Sequence, residues 1–201
     1  MTASPRSRVS KYGQKPKSSR EIIKAVPSVP SPRKAWDDPT DWENVTSHEG
    51  DAHYNYSTFK TILKEQGIDL SKDKRVLEIG SGNAMLLDVL KAEGINTVGV
   101  DVNPRGNKES PQAIARIEQL PFANETFDVI LSVAVFDDRY YDQEHNLMIQ
   151  EIARVLKHGG IYMGTLEPGR IKALPIRGFN LVKPSKSDNM LYGFTVIYKK
   201  S

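Results

Sequence analysis

The segment Arg75-Val-Leu-Glu-Ile-Gly-Ser-Gly-Asn-Ala-Met85 limits the fold of this chain more than any other stretch. Arg75–Gly80 reads as a short buried strand, because an apolar run of that length is bounded by charge and by turn residues. Gly80-Ser81-Gly82 follows at once, and a helix is predicted from about Asn83 to Glu93, stopped by Gly94. Glycines between a strand and a helix permit a tight turn and let a ligand approach the backbone closely.

The same alternation continues downstream. Thr97–Asp101 predicts a second strand, Ile114–Ile117 a short third and Asp128–Val133 a fourth. Asp142 fits the N-cap of a helix that turns Met148, Ile149, Ile152, Val155 and Leu156 inward. That helix is expected to end in Lys157 and His158, where positive charge suits the negative pole, before Gly159-Gly160. Ile161–Leu166 predicts the fifth strand. Phe179–Val182 and Leu191–Lys199, joined by a polar turn through Pro184–Asn189, predict a closing hairpin. Upstream, Ser57 fits the cap of a helix to about Gly67 with Phe59, Ile62 and Leu63 as its apolar stripe. The expected class is α/β: a doubly wound, mostly parallel seven-stranded sheet with helices on both faces and a C-terminal antiparallel hairpin.

Composition bounds the function. A length of 201 residues accommodates one ordinary domain and a tail. With no cysteine there is no disulfide, thiolate metal site or cysteine nucleophile, and four scattered histidines make no metal site, so none is expected. The charge-free strand-like stretch from Val129 to Phe136 has eight residues, whereas a spanning helix needs about 20; no membrane span is expected.

The net charge of +3 hides a division along the chain. Met1 to Lys34 holds nine basic residues against Glu21 alone, giving +8, and the remainder carries −5. Rich in proline and serine and poor in apolar residues, residues 1–35 are predicted to be a disordered basic tail ahead of a single domain over 36–201. Such a tail docks on nucleic acid by counterion release, or serves as a transit peptide, or is simply solvated; the last is the plainest reading of a compositional signal. The first residues lack the apolar run of a secretory signal, so a cytoplasmic location is expected, with an organelle as the alternative if the tail is a transit peptide.

The second predicted strand ends in Asp101, 19 positions after Gly82. A carboxylate at that tip accepts both hydroxyls of a bound ribose, in charge-assisted bonds of about 1.5–3 kcal/mol each. Two features argue against a dinucleotide. The third glycine of G-x-G-x-x-G falls at Met85, and Glu78 beside the turn repels a pyrophosphate. A carboxylate there suits an ammonium group. The expected ligand is a nucleoside with a cationic amino-acid end.

On these residues the chain resembles the class I S-adenosylmethionine-dependent methyltransferases, especially the methyltransferase-11-like group. Glu78-Ile-Gly80-Ser-Gly82-Asn-Ala84 is similar to the first motif of that family, E/D-x-G-x-G-x-G, with Ala84 in place of the last glycine. Val98–Pro104 resembles its ribose-binding strand, Glu118–Phe122 with Thr126–Ile130 its loop and fourth strand, and Glu151–Gly160 its late helix and turn. The resemblance spans about residues 55–167 and implies S-adenosyl-L-methionine as cofactor. It implies that Glu78 faces the methionine amino group, that Gly80, Ser81 and Gly82 line the methionine and ribose, and that Asp101 holds the ribose hydroxyls. Val102 then flanks the adenine, Ile117 and Glu118 meet its edge, Ser132 lies beside the sulfonium, and Tyr54 or Tyr56 closes the methionine end. Arg116 stands where the family usually has Asp, and the 12 residues from Val102 to Ala113 leave the usual crossover helix short or lost.

Methyl transfer needs a general base only when the acceptor must lose a proton. Asp137, after the fourth strand, is the first candidate for a base or acceptor-orienting group; a solvated loop acid is an equally good reading. Asp138, Arg139, Tyr140 and Tyr141 follow it, and Glu167 and Arg170 come after the fifth strand. His48 and His53 are weaker base candidates. Lys183 and Lys186 share the rim with Arg139 and Arg170, either as solubilising charge or as a preference for an anionic acceptor. The acceptor expected is a small molecule, since the short connections leave no separate substrate domain; its identity, the atom methylated and the oligomeric state are not encoded legibly. An RNA- or ribosome-directed enzyme anchored by the tail is the first alternative, although no RNA-binding module is evident. A non-catalytic scaffold of the same fold is the second, motivated by Ala84, Arg116 and the short crossover.

Overall fold

The computed structural model describes residues 49–71, 73–133, 135, 142–166, 178–182 and 194–201. The basic tail, residues 1–35, lies outside them, as do His48, Asp137 and its neighbours through Tyr141, Glu167, Arg170, Lys183 and Lys186. The element order is α1 (Glu49–Glu65), β1 (Arg75–Ile79), α2 (Met85–Ala92), β2 (Asn96–Asp101), β3 (Gln112–Ile114), a 3-10 turn (Ile117–Gln119), β4 (Phe127–Val133), α3 (Asp142–Val155), β5 (Leu156–Leu166), β6 (Phe179–Val182) and β7 (Phe194–Lys200).

These strands form the expected seven-stranded sheet, in the order β3-β2-β1-β4-β5-β7-β6. β1 to β5 pair in parallel, while β7 runs antiparallel to both β5 and β6. Alternate residues of β1 serve opposite faces. Val76 packs with Phe59 and Leu63 of α1 and Leu90 of α2, whereas Leu77 and Ile79 pack with Met148, Ile152 and Val155 of α3. The order reverses between β1 and β4, and a crevice at the carboxyl ends of the strands is the usual ligand position in such a sheet. No helix among the described residues is long and apolar enough to cross a membrane.

Three local expectations are corrected. Helix α1 is already formed at Glu49, ahead of the predicted Ser57, because Ala52 and Tyr56 carry its buried stripe two turns and one turn upstream of Phe59. The hydroxyls of Thr58 and Thr61 donate to the carbonyls of Tyr54 and Ser57, four residues back, and so stay within the helix instead of capping it. β3 starts at Gln112, two residues ahead of the predicted Ile114, because Gly99, Val100 and Asp101 pair with 112–114.

The third correction is that Lys157 and His158 do not close a helix. α3 stops at Val155, and Leu156 already pairs with Phe127 of β4. Lys157 Nζ is drawn to both Asp128 carboxylate oxygens at 2.9 Å, and Asp128 also accepts the Arg75 N–H. The crossover from β2 to β3, residues 102–111, contains no helix, in line with its length.

Candidate cofactor site

The turn after β1 is built almost wholly from backbone bonds. Gly80 and Ser81 N–H groups both donate to the Val100 carbonyl, at 2.8 and 3.1 Å, which fixes the turn against the end of β2. Gly80 has φ +71°, a left-handed value that glycine adopts without strain, and any Cβ placed there meets a Cγ of Val135 beyond β4. Ala84 also adopts a left-handed φ, 66°, with its methyl fully buried.

The two acids flank this turn. Asp101 Oδ2 accepts the Gly82 N–H and Oδ1 the Asn103 N–H, each at 2.8 Å. An ionised carboxylate has about four acceptor positions, so each oxygen keeps capacity for a hydroxyl. Glu78 is only 5% exposed. One bond reaches it from the backbone N–H of Leu87 in the first turn of α2, whose N-cap Ala84 supplies no side chain for capping. Its Oε2 is buried without a partner. Burial above all, then the charges of Asp101 and Asp88, hold its pKa well above the usual carboxylate range, against a smaller opposing effect of the Leu87 bond.

Around this centre, Val102 is half-buried beside Asp101. Ile117 and Glu118 lie in the 3-10 turn just past β3, which the Ala115 N–H ties to the Asp101 carbonyl at 3.0 Å. Ile117 turns its side chain into the core. Glu118 accepts Arg116 Nη2 at 3.1 Å, and Arg116 Nη1 is buried with no partner. Ser132 pairs with Ile79 at the end of β4. Its hydroxyl is fully buried and shares a 2.9 Å hydrogen bond with Tyr162, whose pKa burial drives far up.

Tyr56 does not join this group. Its hydroxyl donates to Glu93 Oε2 at 3.1 Å, at the C-cap of α2. Eight helical residues separate that point from the glycine turn, about 12 Å of helix. Residues 51–56, expected ahead of the first helix, belong to it instead, with Tyr54 and His53 exposed on its surface. Two contributors carried no readable signal: Val135, which covers Gly80, and Gln112, whose amide meets the turn directly. No motif marks either residue. Among the described residues no cluster of three His, Asp or Glu could hold a metal.

The strand order sets the glycine turn and the acid at the tip of β2 at the carboxyl ends of a Rossmann-like sheet, the fold shared by methyltransferases of known structure. Residues 77–164 match the family model described as a methyltransferase domain. No curated protein matches the sequence. Among solved structures, magnesium protoporphyrin IX methyltransferase from Synechocystis, with bound S-adenosylmethionine, superposes with TM-score 0.57 at 16% identity, covering 82% of this chain and 92% of that one. The PH0226 protein of Pyrococcus horikoshii gives 0.54 at 16%, covering 73% and 91%. A methyltransferase from Aquifex aeolicus gives 0.52 at 18%, covering 70% and 88%. These likenesses establish the fold.

Proposed function

We propose that this protein uses S-adenosylmethionine to methylate a small-molecule acceptor. The observation that carries the cofactor is Glu78: a buried carboxylate whose second oxygen has no partner, beside a glycine turn and a ribose-type acid. A buried carboxylate left unpaired is costly, and an ammonium group supplies both the charge and the donors it lacks. Gly80 adopts the left-handed turn without strain, with Val135 packed over it, and Asp101 keeps acceptor positions for two hydroxyls. These residues fit the cofactor.

Bound S-adenosylmethionine supplies an electrophilic methyl group for in-line displacement. This chain's part is to hold and align. Glu78 holds the amino-acid end, Asp101 the ribose, and Val102 with the 3-10 turn bounds the base. Positioning alone supplies about 7–11 kcal/mol of such a barrier. Asp137 is the residue we assign to accept the acceptor's proton or to orient it, from the connection after β4. The small-molecule assignment rests on sequence lengths: Gly169 to Gly178 is too short for a large capping insertion. The +8 tail favours a second reading, an RNA- or ribosome-directed enzyme.

Calorimetric titration of the full chain with S-adenosylmethionine and S-adenosylhomocysteine tests the cofactor. Binding is expected for the native chain and its loss for Asp101→Ala; a folded protein that binds neither ligand refutes the proposal. Methylation of RNA that disappears on deleting residues 1–34 decides for the second reading.

A further inference from the structure

Outside the groups that face the cofactor, one side chain fastens the glycine turn to the helixless crossover. Gln112, the first residue of β3, donates from Nε2 to Ser81 Oγ at 2.8 Å and to the Gly82 carbonyl at 3.0 Å, and its Oε1 accepts the Gly106 N–H at 2.9 Å. One amide orientation satisfies all three bonds. The flipped amide sets Oε1 against the Gly82 carbonyl and NH2 against the Gly106 N–H, so the assignment is not ambiguous.

The Gly82 carbonyl also accepts the Arg105 N–H at 2.7 Å, while the Gly82 N–H belongs to Asp101. Both peptide planes around Gly82 are therefore held, one by the ribose acid and the other by Gln112 and the crossover. Gly106 has no Cβ where one would run into Gln112 Oε1, and Gly99 leaves room for Ser81. A change at position 112 thus reaches Asp101 through a single residue.

We infer that Gln112 is a positioning residue for cofactor binding: its amide sets the orientation of Ser81 and Gly82, and through Gly82 that of the Asp101 carboxylate. The inference rests on the cofactor reading above. Removing the amide is expected to weaken ligand binding through the turn without touching the ligand.

The test is calorimetry with S-adenosylhomocysteine on the full chain, at a temperature where every variant is fully folded. Gln112→Met is expected to bind at least about tenfold more weakly, within the range of coupled contacts. Combined with Ser81→Ala, it is expected to bind within about threefold of the weaker single variant, because both act through one set of bonds. Amide exchange at 81–83 is expected to speed up while β1 stays protected, which general loosening would not produce. Where Gln112→Met fails to fold, Gln112→Glu keeps the size and the Gly106 bond, loses the donor to Gly82, and is expected to show the same loss. Native-like affinity in a folded variant, or additive losses in the double variant, overturns the inference. A native chain that binds no S-adenosylhomocysteine overturns the cofactor reading together with it.

Discussion

Glu78→Gln is expected to stabilise the ligand-free protein and to weaken its cofactor binding, two effects of opposite sign from one atom. Glutamine keeps an oxygen for the Leu87 N–H, so the start of α2 remains bonded. It removes the charge from a site whose Oε2 has no partner. Because burial raises the folded pKa of Glu78, the native state binds more protons than the unfolded chain above the ordinary carboxylate value. Stability therefore falls as pH rises from that value to the raised one, and then levels off. The variant lacks this loss, so the two proteins should melt together near pH 4 and diverge towards pH 8. Glutamine leaves its NH2 unpartnered where Oε2 stood, so the variant recovers only what charge adds to the cost of an unsatisfied buried group. In a chain of this size each 1 kcal/mol recovered raises Tm by about 2–4 °C, and the variant should melt higher by at least that much at pH 8.

Binding runs the other way. An ammonium group beside Glu78 lowers its pKa, so ligand binding expels a proton between the bound and free values, and native affinity rises with pH across that window. The variant should lose this dependence. Loss of a charge-assisted bond of about 1.5–3 kcal/mol corresponds to roughly 10–150-fold weaker binding of S-adenosylhomocysteine. Thermal melts from pH 4 to 8 and calorimetry in buffers of different ionisation enthalpy measure both effects. A variant that melts lower than the native chain at pH 8, or that binds the ligand equally well, would refute the reasoning.

Two further variants probe the neighbouring geometry. Gly80→Ala combines a left-handed backbone, about 1–2 kcal/mol, with overpacking against Val135, about 1–3 kcal/mol. Urea unfolding should show the sum, and Val135→Ala in the same chain should recover only the overpacking share; full recovery would place the cost outside the backbone. Tyr162→Phe leaves the buried Ser132 hydroxyl without its bond to Tyr162, at about 1–3 kcal/mol. Adding Ser132→Ala should return most of that loss, and a double variant weaker than the single would contradict it.

What the sequence discloses follows from how local each determinant is. β1, its glycine turn and α2 form one continuous segment, and Asp101 ends the next strand, so spacing alone places Gly82 and Asp101 together. The sheet follows from the same logic, since short connections leave few ways to pair consecutive strands. Errors fall where a distant partner decides. Lys157 looks like a helix terminus until Asp128, 29 positions earlier, pulls it onto a strand. Tyr56 looks like a gate until Glu93, 37 positions later, claims its hydroxyl. Gln112 acts on Ser81 from 31 positions away. A polar residue at the head of a short strand carries no pattern that announces such a reach.

Ala84 shows how a departure from a motif is absorbed in space rather than in sequence. A non-glycine residue in the left-handed region carries a penalty of about 1–2 kcal/mol. Its methyl, however, is wholly buried, and burying a group of that size returns about 0.8 kcal/mol. The room for it is made at Gly106, where an added Cβ would stand 2.7 Å from the Ala84 methyl. The same bare position receives the Gln112 amide. A crossover without a helix can thus lie directly on the glycine turn, its backbone close enough for the Arg105 N–H to reach the Gly82 carbonyl. The missing third glycine and the missing helix are one adaptation: the alanine fills space against the crossover, and the crossover, through Gln112, holds the turn that the alanine strains.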